Sequence, residues 1–182
     1  MTKDELDRMS VERCLRGEAD AFEGILERYE RPVYNAVLRI CADREEARDV
    51  CQQVFIKVYE RLDSYDPTRK FFSWLYRVAI NETLNHVKGR RTWEPLSPAL
   101  EYPRANPEEA LEASERDGEI QRALVLLDVK YRLAIIARHF LNLTYEEAAE
   151  VLSIPVKTVK SRLFTARQQL RDILEGQRHA AQ

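Results

Sequence analysis

The run Thr144-Tyr145-Glu146-Glu147-Ala148-Ala149-Glu150-Val151-Leu152-Ser153-Ile154-Pro155-Val156-Lys157-Thr158-Val159-Lys160-Ser161-Arg162 admits few folds. Thr144 is placed to cap a helix, and Glu147, three residues on, is placed to reach back to the cap's N–H. Ala148 and Ala149 are small, as two closely crossing helices require. Leu152 closes the first helix and Ser153-Ile154 makes the turn. Pro155 suits the start of a second helix, where a missing N–H costs nothing. This is the pattern of a helix-turn-helix.

The second helix has two faces. Val159, Leu163, Ala166 and Leu170 recur at helical spacing and are expected to face inward. Lys157, Lys160, Ser161, Phe164 and Thr165 fall on the other side. Cations there meet phosphates or guanine edges, and apolar groups meet thymine methyls in a major groove. A solvated basic face on an amphipathic hairpin is the plainer alternative. The coincidence of cap, turn and basic face favours DNA.

A net charge of −2 looks wrong for a DNA binder until it is divided by region. Residues 94–119 hold eight acids against two bases, whereas residues 157–171 hold five bases and no acid. The basic segment is the one proposed to touch DNA. The 182-residue chain has only five glycines and little strand-like alternation, so an all-α fold is expected. Cys14, Cys41 and Cys51 have no metal-ligand or disulfide spacing, and His86, His139 and His179 are scattered. No metal, no cofactor and no enzymatic activity is expected: neither a nucleophile–base pair nor a phosphate loop is evident. No signal peptide or membrane-length apolar run is visible, so a cytoplasmic protein without membrane insertion is expected.

Periodicity and turn chemistry divide the chain. Residues 1–18 form a polar segment with a short helix near Val11–Arg16. Residues 19–91 form a first helical domain. Its helices run from Ala19 to about Glu30, from Pro32 through Ile40, from Asp43 to about Leu62, and from about Lys70 to Lys88. Asp63-Ser64-Tyr65-Asp66-Pro67-Thr68 is a loop. Four of the seven prolines lie in residues 92–107, so residues 92–114 read as a flexible, acidic, proline-containing linker. Residues 115–175 form the second small domain, the helix-turn-helix, and residues 176–182 a tail.

The helix beginning Lys70-Phe71-Phe72-Ser73-Trp74-Leu75-Tyr76-Arg77-Val78-Ala79-Ile80-Asn81 interleaves aromatic and basic residues. Single-stranded bases stack on such rings while cations track the backbone. The spacing of Phe71, Trp74, Leu75 and Val78 equally describes a buried stripe, and for Trp74 core is the stronger reading.

Three stretches together carry a resemblance: Gln52-Gln53-Val54-Phe55, then Phe72 through Asn81, then Val156-Lys157-Thr158-Val159-Lys160-Ser161-Arg162-Leu163. The chain resembles the bacterial sigma factors of the compact extracytoplasmic-function class. The resemblance spans roughly residues 19–91, as region two, and 115–175, as region four. It implies a promoter-specificity subunit that joins core RNA polymerase. Asp49, Gln52, Gln53 and Phe55 match the polymerase-docking surface. Asp63, Ser64, Tyr65 and Lys70 match a loop that pockets a flipped minus-ten base, with Arg77, Asn81 and Lys88 on the following helix. Trapping a base offsets the cost of unstacking it. Thr158, Lys160, Ser161, Arg162, Phe164, Thr165 and Arg167 match the minus-thirty-five reader. Of these, Arg162 and Arg167 are expected on phosphates. The partners implied are core polymerase and promoter DNA, with an anti-sigma factor or an activating kinase as regulator.

The chain departs from the family at four places. Arg48 stands where an acid is common and Gln53 where Glu is frequent, which weakens electrostatic attraction to a basic clamp surface. Activation by added negative charge is one remedy, with Ser64, Tyr65 and Thr68 as nearby hydroxyls; sufficiency of Glu45, Glu46 and Asp49 is the other reading. Ile80 and Thr165 stand where Arg is often found, which points to altered promoter contacts. A conventional helix-turn-helix regulator that never docks on polymerase is the competing function. A sigma-like decoy for an anti-sigma factor is weaker, because the basic face is retained.

Overall fold

A computed structural model describes residues 1–89 and 118–180, with side chains to residue 176. The proposed linker, residues 92–114, lies outside the described residues. Among those described there is no strand, no helix long and apolar enough to cross a membrane, and no cluster of acidic, histidine or cysteine side chains able to hold a metal ion.

The polar amino-terminal segment is a full helix, α1 (Lys3–Leu15), and not a short one near Val11. A Thr2–Glu5 capping box starts it. Its charged sequence hides an inward stripe of Asp7, Val11 and Cys14, which packs on the first domain. Asp7 is completely buried. A carboxylate survives there only because it is paired and hydrogen-bonded. Arg28 Nε donates to it at 2.8 Å and the Tyr29 hydroxyl donates to its other oxygen. Residues 1–18 are therefore part of the first domain.

After a 3₁₀ turn (Ala19–Phe22), α2 runs unbroken over Glu23–Cys41 with Pro32 inside it. The sequence predicts a break at Pro32, since proline removes the bond to the carbonyl four residues back. Here burial of Tyr29, Val33, Ala36 and Val37 on both sides of the proline outweighs that loss. Asp43 caps α3 (Arg44–Glu60), whose Ala47, Val50, Val54, Phe55 and Val58 are buried as their spacing predicts. α4 (Phe71–Gly89) completes the first domain, and a Lys57–Glu82 ion pair ties α3 to α4.

The second domain comprises α5 (residues 118–126), α6 (Val129–Ile135), α7 (Tyr145–Leu152) and α8 (Val156–Ala180). α6 runs into a π-helical turn, Ile136–Phe140, closed by Leu141 N–H donating to Ile136 O at 3.0 Å. α8 extends into residues 176–180, which the sequence reading assigns to a tail.

Among the described residues the two domains touch where α2 meets α5, α6 and the π turn, and where α4 meets α7. At the first, Arg132 Nη1 donates to Ile40 O at 3.1 Å and Gln121 Nε2 to Arg39 O at 3.4 Å. The second domain thus satisfies carbonyls that the end of α2 would otherwise leave open. The Arg39 guanidinium lies 3.9 Å from the centre of the Phe140 ring.

Candidate nucleic-acid interface

The reading helix is held by local chemistry. Glu147 N–H donates to Thr144 Oγ1 at 3.1 Å, and Thr144 N–H donates to Glu147 Oε2 at 2.9 Å. Ser153 ends α7 in the left-handed region, at φ 53°. Pro155 O then accepts the first bonds of α8 from Thr158 and Val159. Val159, Leu163 and Ala166 are buried, leaving the opposite side of α8 in solvent.

On that side Lys160, Ser161, Phe164 and Arg167 are exposed, and Phe164 is 64% accessible. Phe164 gives this basic face an apolar group in solvent, of the kind that meets thymine methyls in a major groove. Thr158, Arg162 and Thr165 are half-buried along its edges. The Ser161 hydroxyl donates to Thr158 O at 3.1 Å. Lys160 Nζ sits 5.3 Å from the Tyr145 ring, and Arg138 lies over the same ring at 5.5 Å. Arg167 Nη2 stands 3.2 Å from His139 Nε2. Burial, and then the charges of Arg167 and Arg138, hold the His139 imidazole below its ordinary value. Arg138 adds positive charge to this face, and His139 adds a polar ring. Sequence reasoning missed both, because the π turn that presents them has no periodic signature.

The candidate minus-ten surface lies on the loop after α3 and the start of α4. Asp63, Ser64, Arg69 and Lys70 are exposed, as are Asn81 and Lys88 farther along α4, while Arg77 is half-buried. Tyr65 corrects the sequence reading. It is only 8% accessible, with its ring against Phe71 and Trp74 and its hydroxyl donating to Arg69 O at 2.6 Å. It staples the loop from inside and is not on the surface. Asp66 shapes the turn by accepting from Thr68 N–H at 2.9 Å and Thr68 Oγ1 at 2.7 Å, and those bonds hold its carboxyl below the ordinary range. Trp74 is half-buried against the core, between its two readings. Ile80 is buried, so no side chain there reaches DNA without opening the core.

Three cations of this surface have partners on α7. Lys70 Nζ lies 2.6 Å from Glu147 Oε1, Arg69 Nη1 3.4 Å from Glu150 Oε1, and Arg77 Nη2 3.6 Å from that same Glu150 oxygen.

A groove of about 1410 Å³ runs between α2 and α3. Phe55, Gln52 and Arg48 line it; Asp49 and Gln53 are exposed outside its lining. Its floor is apolar, with Leu26, Tyr34 and Ile56, and Arg31 and Arg44 join Arg48 in the wall. The sequence reading named only the α3 side. The α2 residues carry no motif and come to the groove only through packing.

Family models match two stretches: Sigma-70 region 2 over residues 25–92, and Sigma-70, region 4 over residues 117–170. The RNA polymerase sigma-H factor of Pseudomonas aeruginosa is 33% identical, over 96% of this chain and 97% of that protein. The ECF RNA polymerase sigma-E factor of Escherichia coli is also 33% identical, over 92% of this chain and 94% of that protein. Among solved structures, CnrH in complex with the cytosolic domain of CnrY superimposes with a TM-score of 0.73 at 25% identity, covering 94% of this chain and 98% of that one. RpoE of Bartonella quintana, solved with the anti-sigma factor NepR, shares the fold at a TM-score of 0.73 and 22% identity, over 85% of this chain and 96% of that one. With two region-matching domains in order and near full-length likeness to several such factors, the chain belongs to the extracytoplasmic-function sigma factors of the sigma-70 family.

Proposed function

We propose that this sigma factor docks on core RNA polymerase through the α2–α3 groove and its exposed rim, and reads promoter DNA with two separate surfaces. The α8 face, with Lys160, Ser161, Phe164 and Thr165 toward bases and Arg162 and Arg167 toward phosphates, takes the minus-thirty-five element. The loop 63–70 and α4, with Lys70, Arg77 and Asn81, take the minus-ten strand as it opens. The carrying observation is the solvent-facing Phe164 amid exposed Lys160, Ser161 and Arg167 on α8, the helix that Pro155 opens after the capped α7.

Docking is one step at which this chain is expected to depart from its family. Arg31, Arg44 and Arg48 outnumber Glu30 and Glu60 along the groove, which weakens its attraction to a basic clamp surface. Added negative charge on region two would offset this. Ser64 and Thr68 are exposed enough to receive it from a kinase, whereas Tyr65 is buried. An anti-sigma factor is the other regulator we infer, by analogy with the CnrH and RpoE complexes. The reaction belongs in the cytoplasm, where polymerase and promoter are.

Co-elution with bacterial core polymerase on a sizing column tests the docking. A salt-sensitive complex is expected, strengthened by Arg48→Glu with Gln53→Glu. If neither wild type nor the double variant co-elutes, while the protein still binds duplex DNA, a conventional helix-turn-helix regulator replaces this reading.

A further inference from the structure

The π turn carries two neighbouring side chains, Arg138 and His139, to the rim of the α8 face. A π turn holds one residue more than a turn of α-helix, so side chains are swung off the helical stripe. Its backbone is fixed: Leu141 N–H donates to Ile136 O at 3.0 Å and Leu143 N–H to Ala137 O at 3.1 Å, with Asn142 left-handed at φ 54°. His139 is thereby held against Arg167, an exposed cation of α8, whose Nη2 lies 3.2 Å from the ring Nε2.

An arginine has no acceptor, so Arg167 donates and Nε2 is the bare nitrogen of a neutral ring. Burial, and then the charges of Arg167 and Arg138, keep the ring neutral by holding it below its ordinary 6.5. The groups that other elements bring to the turn give no relief. From α2, Arg39 lies against the Phe140 ring, and from α7, Tyr145 lies against Arg138. Among the described residues no carboxylate acts on His139. Three groups able to carry positive charge therefore converge, and an oxyanion is what such a cluster binds. A phosphate beside His139 reverses the cost of protonating it. Protonation also ends the contact with Arg167, because an imidazolium has two donors and no acceptor.

We propose that His139 is a proton-linked phosphate ligand of the minus-thirty-five surface: neutral in the free protein, where it holds Arg167, and protonated on DNA, where both side chains bind the backbone. This rests on the assignment of α8 to duplex DNA. The sign follows from linkage. The bound state holds more protons, so affinity rises as the pH falls through the bound-state pKa and levels off below the free-state value. A phosphate contact carries no sequence information, so the effect is on affinity and is common to all duplexes.

The test is binding of a fluorescein-labelled, random-sequence duplex of about 25 base pairs to the full chain at constant low salt. Between about pH 7.5 and about pH 5.5 wild type is expected to tighten about fivefold, against about tenfold for a full unit of pKa rise. His139→Gln keeps an acceptor for Arg167 and takes no proton, so it should match wild type at the upper pH and lose that gain. His139→Arg carries a fixed charge and should bind at the upper pH as tightly as wild type does at the lower. His86, His179 and the amino terminus titrate in every variant and cancel in the comparison. Calorimetry in two buffers of unlike ionisation enthalpy should show proton uptake on binding in wild type that His139→Gln lacks, a difference that a merely structural role would not produce. If the wild-type profile is flat, or His139→Gln keeps it together with the proton uptake, while Lys160→Ala with Arg162→Ala weakens binding, the role of His139 fails alone. If Lys160→Ala with Arg162→Ala leaves binding unchanged as well, the assignment of α8 to DNA fails and takes the proposal with it.

Discussion

Arg132 is almost fully buried, and its guanidinium donates to three backbone carbonyls: Ile40 at 3.1 Å, Val125 at 2.6 Å and Leu127 at 3.1 Å. Burial pushes its pKa down to about 10, with the nearby Asp128 charge acting the other way, so the group stays charged at neutral pH. One side chain thus closes the turn between α5 and α6 and the end of α2 in the other domain. Arg132→Met keeps the apolar stem and strands these acceptors. The expected loss is about 2–4 kcal/mol, from two or more buried carbonyls left without a donor, read from urea unfolding. Arg132→Lys should recover less than half, because an ammonium lacks the planar fork. Nothing in the sequence marks Arg132 or Asp7 as buried. Each is a charged residue at a helical position, and each is held inside in part by a partner distant in sequence, Arg28 for Asp7 and the Ile40 carbonyl for Arg132. The faces of α3 and α8, by contrast, are legible, because there the apolar side chains alone decide which side goes inward. Tyr65 fell between the two: its polar hydroxyl and loop position read as surface, but its ring area wins burial once the hydroxyl finds Arg69 O.

At the scale of elements, the sequence predicts two starts through their caps and one stop, the turn after Leu152. Thr144 and Asp43 announce α7 and α3 through side-chain caps that depend on neighbours three residues away. The ends of α2 and α7 have no glycine to announce them. Ala42 and Ser153 adopt left-handed backbone at φ 59° and 53°, where Cβ is crowded by the following carbonyl. Both still close their helices, Ala42 N–H donating to Leu38 O at 2.8 Å. Glycine at the first site keeps that bond and removes the crowding. Ala42→Gly is therefore expected to stabilise the protein by about 1 kcal/mol. The melting temperature should rise by about 2–4 °C for a chain of this length. The same change at Ala36, buried mid-helix at φ of an ordinary helix, should destabilise by a similar amount or more, since glycine there costs backbone entropy and packing. Opposite signs from one substitution would separate the left-handed cap from general glycine effects; destabilisation at both would remove the claim of strain at residue 42.

At the scale of the molecule, the docking of the two domains is the feature least legible in the sequence. Periodicity shows that Leu124, Leu133 and Ile136 need cover, but not that part of the cover comes from the end of α2. The charges did carry a hint: cations cluster in residues 69–77 and carboxylates on α7, and their pairing is a whole-molecule event. Its pH dependence follows from Lys70 and Glu147. Burial alone would push the Glu147 carboxyl up, but bonds from Lys70 and the Thr144 N–H, with the Lys70 charge, bring it below its ordinary 4.5. The bond to Glu147 chiefly raises Lys70 above its ordinary 10.5, against a small opposing effect of burial. A depressed carboxyl stabilises the docked state fully above 4.5 and loses that contribution as the pH falls through its docked value. A raised amine stabilises below 10.5 and loses its contribution as the pH rises through its docked value. The pair therefore acts across a plateau bounded by acid and by base, and within it salt is the only lever, since both partners reach solvent. Small-angle scattering of wild type and Glu147→Gln measures this. The variant should be the more expanded at neutral pH and low salt, and the difference should shrink in 0.5 M salt. Lowering the pH through the docked value, which lies below 4.5, should close the same gap, as the wild-type carboxyl becomes as neutral as the glutamine. A gap that persists in acid would assign the expansion to the altered cap of α7 and not to the charge it presents to Lys70.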